Sequence, residues 1–201
     1  MNETLSSRLT LKNVRVGYVH VFEPSQIGGT GEPKYSLVAL IPKTDVAQIN
    51  AINAAMQVAY NEGMANPKKW AGRQPAVLDV ALKDGDTTKD LSKNPEYEGM
   101  YYINVKDKNK PIVVDRSRNA ITDPSGFYSG CFANVICQFF PFLNTGKYGI
   151  SASLQGVQFV SDGERLAAGG ASANDFDALD GDTAPFAGAP FGGTPPPFGG
   201  R

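Results

Sequence analysis

A chain of 201 residues with 41% hydrophobic and 19% charged side chains holds enough apolar matter for one packed domain, with or without a tail, and too much to be disordered throughout. Lys and Arg number 19 against 20 Asp and Glu, a net charge of −1, so overall basicity gives no route to a nucleic-acid partner. The polar start Met1-Asn2-Glu3-Thr4 leads into no apolar leader, and the longest clean apolar run, residues 37–41, falls far short of the roughly 20 residues that cross a bilayer.

Residues 9–22 form a long strand candidate closed by Glu23-Pro24. A Gly-rich loop, Gly28-Gly29-Thr30-Gly31, leads to a second strand from Lys34 to Ile41, ended by Pro42. The period then changes. Val46, Ile49, Ile52, Met56, Tyr60 and Met64 recur every three or four residues, which predicts one amphipathic helix. Asp45 with Gln48 resembles a capping box at its start, and Gly63 and Pro67 supply the stop. Shorter strands are expected at about 76–83, 100–106 and 111–115, and two long ones at about 130–142 and 148–160, joined by the turn Asn144-Thr145-Gly146-Lys147. Alternation along the first long strand puts Cys131, Ala133, Val135, Cys137 and Phe139 on a core face, and Phe132, Asn134, Ile136, Gln138 and Phe140 on a half-polar one. Cys131 and Cys137 are then about 20 Å apart, too far to bridge, and read as reduced thiols of a cytoplasmic protein. Many strands and one real helix predict a mainly β fold, a small antiparallel barrel or sandwich.

The composition breaks near Leu166. Beyond it come Ala167-Ala168-Gly169-Gly170, an acidic cluster (Asp175, Asp177, Asp180 and Asp182), and a short unit that recurs as Pro185-Phe186-Ala187-Gly188, Pro190-Phe191-Gly192-Gly193 and Pro197-Phe198-Gly199-Gly200. Residues 167–201 contain no Val, Ile, Tyr or Trp, so they cannot bury enough apolar area to offset chain entropy. A domain over 1–166 and a flexible, disordered tail over 167–201 are expected. Charge divides at the same place, +2 before it and −3 after it.

Catalytic patterns are scarce. The single histidine, His20, sits inside a strand pattern, which leaves little room for histidine-based triads or zinc sites. Gly146-Lys147 lacks the rest of a phosphate loop, and the Gly-rich loop at 28–31 precedes a strand where a phosphate would need a helix N-terminus. Asp79, Asp84, Asp86 and Asp90 could hold Mg²⁺ in a nuclease, although Asp84-Gly85-Asp86 is equally an ordinary turn sequence. No enzyme, cofactor or metal is expected.

Binding chemistry is better represented, because aromatic and basic residues interleave at several loops and strand ends. Lys68, Lys69, Trp70 and Arg73 follow the helix, Lys34-Tyr35 opens the second strand, and Tyr101 and Tyr102 precede Lys106, Lys108, Lys110, Arg116 and Arg118. Residues 106–118 carry five basic and two acidic groups. Single-stranded nucleic acid takes this mixture, since flat rings stack on unpaired bases of any identity while Lys and Arg follow the phosphates.

Several ordered stretches also resemble a known family. They are Lys34-Tyr35-Ser36, Pro42-Lys43-Thr44-Asp45, Asp84-Gly85-Asp86, Tyr97-Glu98-Gly99 and Pro111 through Asp115. Further on come Tyr128-Ser129-Gly130-Cys131, Gly149 through Gln158, and Asp162-Gly163-Glu164-Arg165-Leu166. Over about residues 9–166 the chain is similar to the single-stranded DNA-binding proteins of tailed phages. The resemblance implies an OB-type barrel that coats single strands during phage replication or recombination in the cytoplasm of the infected bacterium. It turns Asp84 and Asp86 into a family turn. Two features depart from the usual pattern: the helix follows the second strand, where an OB barrel places it after the third, and the acids sit mid-tail ahead of a Phe198-Gly199-Gly200-Arg201 end.

The expected function is sequence-tolerant single-stranded DNA binding without catalysis. Tyr35, Trp70, Tyr101 and Tyr102 are the candidate stacking residues. Lys34, Lys68, Lys69, Arg73, Lys106, Lys108, Lys110, Arg116 and Arg118 are the candidate phosphate contacts. Within the tail, the four Asp would compete with DNA, and Phe186, Phe191 and Phe198 would dock phage or host replication proteins; a solubilising appendage is the plain alternative. The rival from another class is a virion structural or assembly protein whose aromatics are merely core.

Overall fold

The computed structural model describes residues 6–26 and 31–166. The tail residues Asp175, Asp177, Asp180, Asp182, Phe186, Phe191 and Phe198, together with Gly28, Gly29 and Thr30, lie outside them. In chain order the elements are β1 (Arg8–Ser25), β2 (Lys34–Pro42), α1 (Val46–Ala65), β3 (Leu78–Asp79), β4 (Leu82–Asp84), a single-turn α2 (Gly85–Thr88), β5 (Met100–Asp107), β6 (Ile112–Val114), β7 (Phe132–Asn144) and β8 (Lys147–Ser161).

β1 is 18 residues long, too long to stay straight in a small barrel, and its ladders shift register at three places, the last between His20 and Ser25. Asn13 and Tyr18 take positive φ angles of 49° and 50°, and an extra β1 residue enters the ladder near each. The first half pairs with β7, from Arg8 opposite Gln138 to Arg15 opposite Phe132; the second pairs with β2, from Arg15 opposite Leu40 to Ser25 opposite Lys34. β2 continues to β5, and β7 to β8. Parallel pairing of Val105 on β5 with Ala152 on β8 closes the ring β1-β2-β5-β8-β7. This is the OB-type barrel that the family resemblance implies. Along its outer edge β8 meets β3 at Tyr148 and Gly149, β5 at Ala152, and β6 at Gly156 to Gln158.

The hairpin between β7 and β8 turns through Thr145 (φ 46°) and Gly146 (φ 79°), the two positive φ values that match a two-residue turn to strand twist. Alternation on β7 holds as read: Cys131, Ala133, Val135, Cys137 and Phe139 are fully buried, while the opposite face is half-exposed or exposed. Both cysteines are free thiols. The segment at 76–83 is weaker than its pattern predicts, with only the two residues of β3 and the start of β4 paired.

α1 covers one end of the barrel, packing mainly on β7 and less on β1 and β8. Its buried side presents Ile52, Ala55, Met56 and Ala59. Each large apolar side chain so buried stabilises by about 1.5–3 kcal/mol. Asp45 caps it: the Gln48 N–H and side-chain amide both donate to the Asp45 carboxylate at 3.1 Å. Gly63 does not stop the helix, which runs on to Ala65 before Pro67. A glycine stands there because Trp70 and Pro141 press on its backbone, and a β-carbon would lie 2.8 Å from each.

Candidate nucleic-acid interface

Three strands of the barrel turn a common outer face to solvent. Their register sets side chains in rows: Gly17, Val38 and Asn104 in one, and His20, Ser36 and Lys106 in the next. Val38, Asn104, His20, Ser36 and Lys106 of these rows floor a groove of about 540 Å³. One wall rises from the segment after α2. There Tyr97 meets Tyr102 edge-to-face at 5.0 Å, and Lys89 sits 4.8 and 5.0 Å from their two ring centres. Tyr97 and Tyr102 are themselves sealed with Val38 and Leu40 in a small apolar cluster outside the barrel core. Burial, with Tyr18 and Glu96 nearby, pushes the Tyr97 phenol far above its ordinary value, so it is a neutral hydrogen-bonding group at all working pH. Ser25 and Gln26 lie at the other end of the groove, and the Gln26 amide donates to the Gly31 carbonyl at 3.0 Å.

Among the aromatics expected to stack, two are corrected. Trp70 is 1% exposed, clamped between Tyr60 and Tyr148 at 5.4 and 6.0 Å, with its indole N–H donated to the Phe142 carbonyl at 3.0 Å. It seals the helix end of the barrel with its ring out of solvent. Tyr102 is 4% exposed, beneath Lys89 and Tyr97. Tyr101 is half-buried against the core, with the Lys43 ammonium 5.2 Å from its ring centre. Tyr35 is half-buried opposite Asp107.

The basic residues divide by position. Lys106 lines the groove, and Lys34 pairs with Ser25 at its end. Lys108 is exposed and ion-paired with Glu32, which holds the Glu32 carboxyl below its usual range; Lys110 is exposed beyond it. Lys68, Lys69 and Arg73 sit in the loop after α1, where the Lys69 ammonium donates to the Pro141 carbonyl at 2.9 Å. Arg116 and Arg118 are exposed in a turn held by Asp115, which accepts from the Asn119 N–H at 2.8 Å. Neither of the last two groups lines the groove.

The carboxylates weighed as a metal site are occupied otherwise. Lys43 bridges Asp84 and Asp86 at 2.6 and 2.7 Å. Asp84 caps α2 by accepting the Asp86 N–H at 2.9 Å, and Asp86 accepts the Gly99 N–H at 2.8 Å. Asp79 pairs with Lys83 at 3.1 Å, and Asp90 with Lys93 at 3.4 Å. Hydrogen bonds to Asp84 and Asp86 push the Lys43 ammonium well above its ordinary value. Lys43, Asp84 and Asp86 thus tie the end of β2 to α2 and to Gly99.

Tyr18, His20, Lys89 and Asn104 line the groove, and the sequence reading did not select them. Strict alternation from Val14 and Val16 would carry Tyr18 and His20 inward; the bulge at Tyr18 instead sends Val19 and Val21 to the core and turns Tyr18 and His20 out. The signal was present in Gly17, since a glycine inside a strand pattern often marks a bulge.

Comparison with known proteins places the chain in a family. Residues 7–185 match the family model of the Enterobacter phage Enc34 ssDNA-binding protein, and the chain belongs to that family. The family is one of binding proteins, not of enzymes. Protein p50 of Acyrthosiphon pisum secondary endosymbiont phage 1 is 34% identical over 183 residues, covering 86% of this chain and 94% of its own. Among solved structures, the single-stranded DNA-binding protein from bacteriophage Enc34 in complex with ssDNA superposes with a TM-score of 0.67 at 27% identity, over 80% of this chain and 90% of that one. The single-stranded DNA-binding protein gp2.5 of bacteriophage T7 shares the fold, with a TM-score of 0.59 at 16% identity over 84% of this chain and 91% of that one. No helix among the described residues is long and apolar enough to cross a membrane.

Proposed function

We propose that this protein binds single-stranded DNA without regard to sequence, in the groove across β1, β2 and β5, during phage DNA replication or recombination in the cytoplasm of the infected bacterium. The observation that carries the reading is the groove itself: an open face of an OB-type barrel, lined by Lys89, Lys106, His20 and an exposed tyrosine, in a chain whose family is that of a phage ssDNA-binding protein. Lys106 and Lys34 supply phosphate contacts at the groove, and Asn104, Ser36 and Gln26 offer polar groups without a fixed base code. Tyr35 and Tyr101 border the same strands. The exposed Lys68, Lys110, Arg73, Arg116 and Arg118, with Lys69 and the paired Lys108, extend the positive path for longer strands.

The tail over 167–201 acts on the same groove in this reading. Residues 162–166 strap back over β1: the Leu166 N–H donates to the Ser129 carbonyl at 3.0 Å, and Leu166 packs on the cluster of Val38, Leu40, Tyr97 and Tyr102 beside the groove. Asp175 lies nine residues further along the sequence. The four Asp compete with DNA there, and Phe186, Phe191 and Phe198 serve to dock phage or host replication proteins.

The test is titration of labelled oligo(dT) by anisotropy at two salt concentrations, with duplex DNA as control. Salt-sensitive binding of the single strand, tightened at low salt by deleting 167–201, is expected. Each phosphate contact contributes about 0.7 to the slope of log affinity against log salt. Equal binding of the duplex, or none of either, would refute the reading.

A further inference from the structure

We infer that Tyr18 is the ring on which a base stacks in this groove, mounted there by a strained backbone and an anchored hydroxyl. The inference rests on the single-stranded DNA reading above and assigns its principal stacking contact. Among the Phe, Tyr and Trp of the described residues Tyr18 is the one exposed ring, at 43%, and it lies on the groove lining. The ring pairs among those residues are Tyr60–Trp70, Trp70–Tyr148 and Tyr97–Tyr102; Tyr18 is in none of them.

Its backbone is the second observation. With φ at 50°, Tyr18 occupies the left-handed region that bulky L-residues rarely adopt and that glycine enters freely. The bulge alone would be served better by glycine, and Gly17 is adjacent in the sequence. Keeping a tyrosine at the strained position therefore serves the side chain and not the fold. Strain of this kind collects at binding sites.

The third observation is the far end of the ring. The Tyr18 hydroxyl donates to Asn94 Oδ1 at 3.2 Å and lies 3.4 Å from Glu96 Oε1, both on the segment that builds the groove wall. A ring fixed at both ends loses little rotamer freedom on stacking, so more of the contact appears as affinity. His20 stands two residues along the same strand, and Lys106 lies two strands from His20, about 10 Å away. The Lys106 ammonium at that reach can meet a phosphate that flanks a base held on the ring.

The experiment compares wild-type protein with Tyr18→Gly, Tyr18→Asn and Tyr18→Phe, by anisotropy of a labelled dT12 and by thermal melting of each. Gly and Asn accept the backbone angle and remove the ring. Both should weaken binding by at least about fivefold, the lower end of one stacking contact, with a Tm no lower than the wild type. Phe keeps the ring but not its anchor and should fall between. Wild type that binds dT12 with Gly and Asn variants within twofold of it would overturn the assignment, as would a loss of affinity matched by a lower Tm in both variants. A wild type that binds no oligo(dT) would instead sink the single-stranded DNA reading from which the assignment starts.

Discussion

Gly63 on α1 lies directly against the indole of Trp70, with room for a hydrogen and not for a methyl: a β-carbon would meet two ring carbons at 2.8 Å. The same contact joins the helix to the β7–β8 hairpin, because the Trp70 indole also donates to the Phe142 carbonyl. Gly63→Ala gains helix propensity of about 1 kcal/mol but overpacks a rigid aromatic, a change that costs about 1–3 kcal/mol. The net expectation is destabilisation. A denaturation midpoint equal to or above the wild type would show that the indole yields.

Trp70, 1% exposed, is expected to report on folding and not on DNA. Its emission should stay nearly constant when oligo(dT) saturates the groove, and change sharply on unfolding. Trp70→Phe leaves the Phe142 carbonyl without its donor and opens a small cavity, together costing about 2–4 kcal/mol. Its affinity for oligo(dT), measured well below its melting temperature, should remain within about threefold of wild type. A tenfold loss would return Trp70 to the binding surface.

Strand length separates the two classes of basic residue. Lys106→Ala removes a groove contact and should lower the salt slope by about 0.7 for a short oligonucleotide and a long one alike. Arg116→Ala with Arg118→Ala should leave a dT8 unaffected and weaken a dT30, because the turn at 115–119 lies off the groove. Equal sensitivity of dT8 to both sets would place Arg116 and Arg118 inside the primary site.

The buried thiols give a pH signature. Burial pushes the Cys137 thiol up to about 12, and Cys131 is raised by the same cause. In the unfolded chain each would ionise near the ordinary thiol range, so above that range the unfolded state holds fewer protons and stability falls with rising pH. For Cys137 the slope is about 1.4 kcal/mol per pH unit until the folded thiol itself ionises. Wild type should therefore lose stability relative to Cys137→Ala between about pH 9 and 11, and neither cysteine should react with a thiol reagent at pH 8 until the chain unfolds. Parallel stability curves for the two proteins would refute the assignment.

The elements with a clean period were legible. Ile52, Met56 and Asp45 announced α1 and its cap, and Cys131 through Phe139 announced the core face of β7, because hydrophobic period and packing agree there. The candidate site was less legible, since it depends on two things a period does not record. A positive φ at Tyr18 inverts the parity of β1, bringing His20 to the surface where alternation had buried it. The only Trp looked like a stacking platform beside Lys68 and Lys69, yet Gly63, Tyr60 and Tyr148 form a closed seat for it. Lys89 gave no local signal, for its place depends on how the segment after α2 folds back over β2 and β5.

The way β3, β5 and β6 take turns along β8 bears on crowding. A protein that coats a strand must stand shoulder to shoulder with its copies at high local concentration, where an open strand edge invites sheet-to-sheet fusion. Here the sheet ends on β3 and β4, two and three residues long. Ladders so short offer a neighbour almost nothing to zip onto, which keeps the described barrel from fusing edge to edge with its copies.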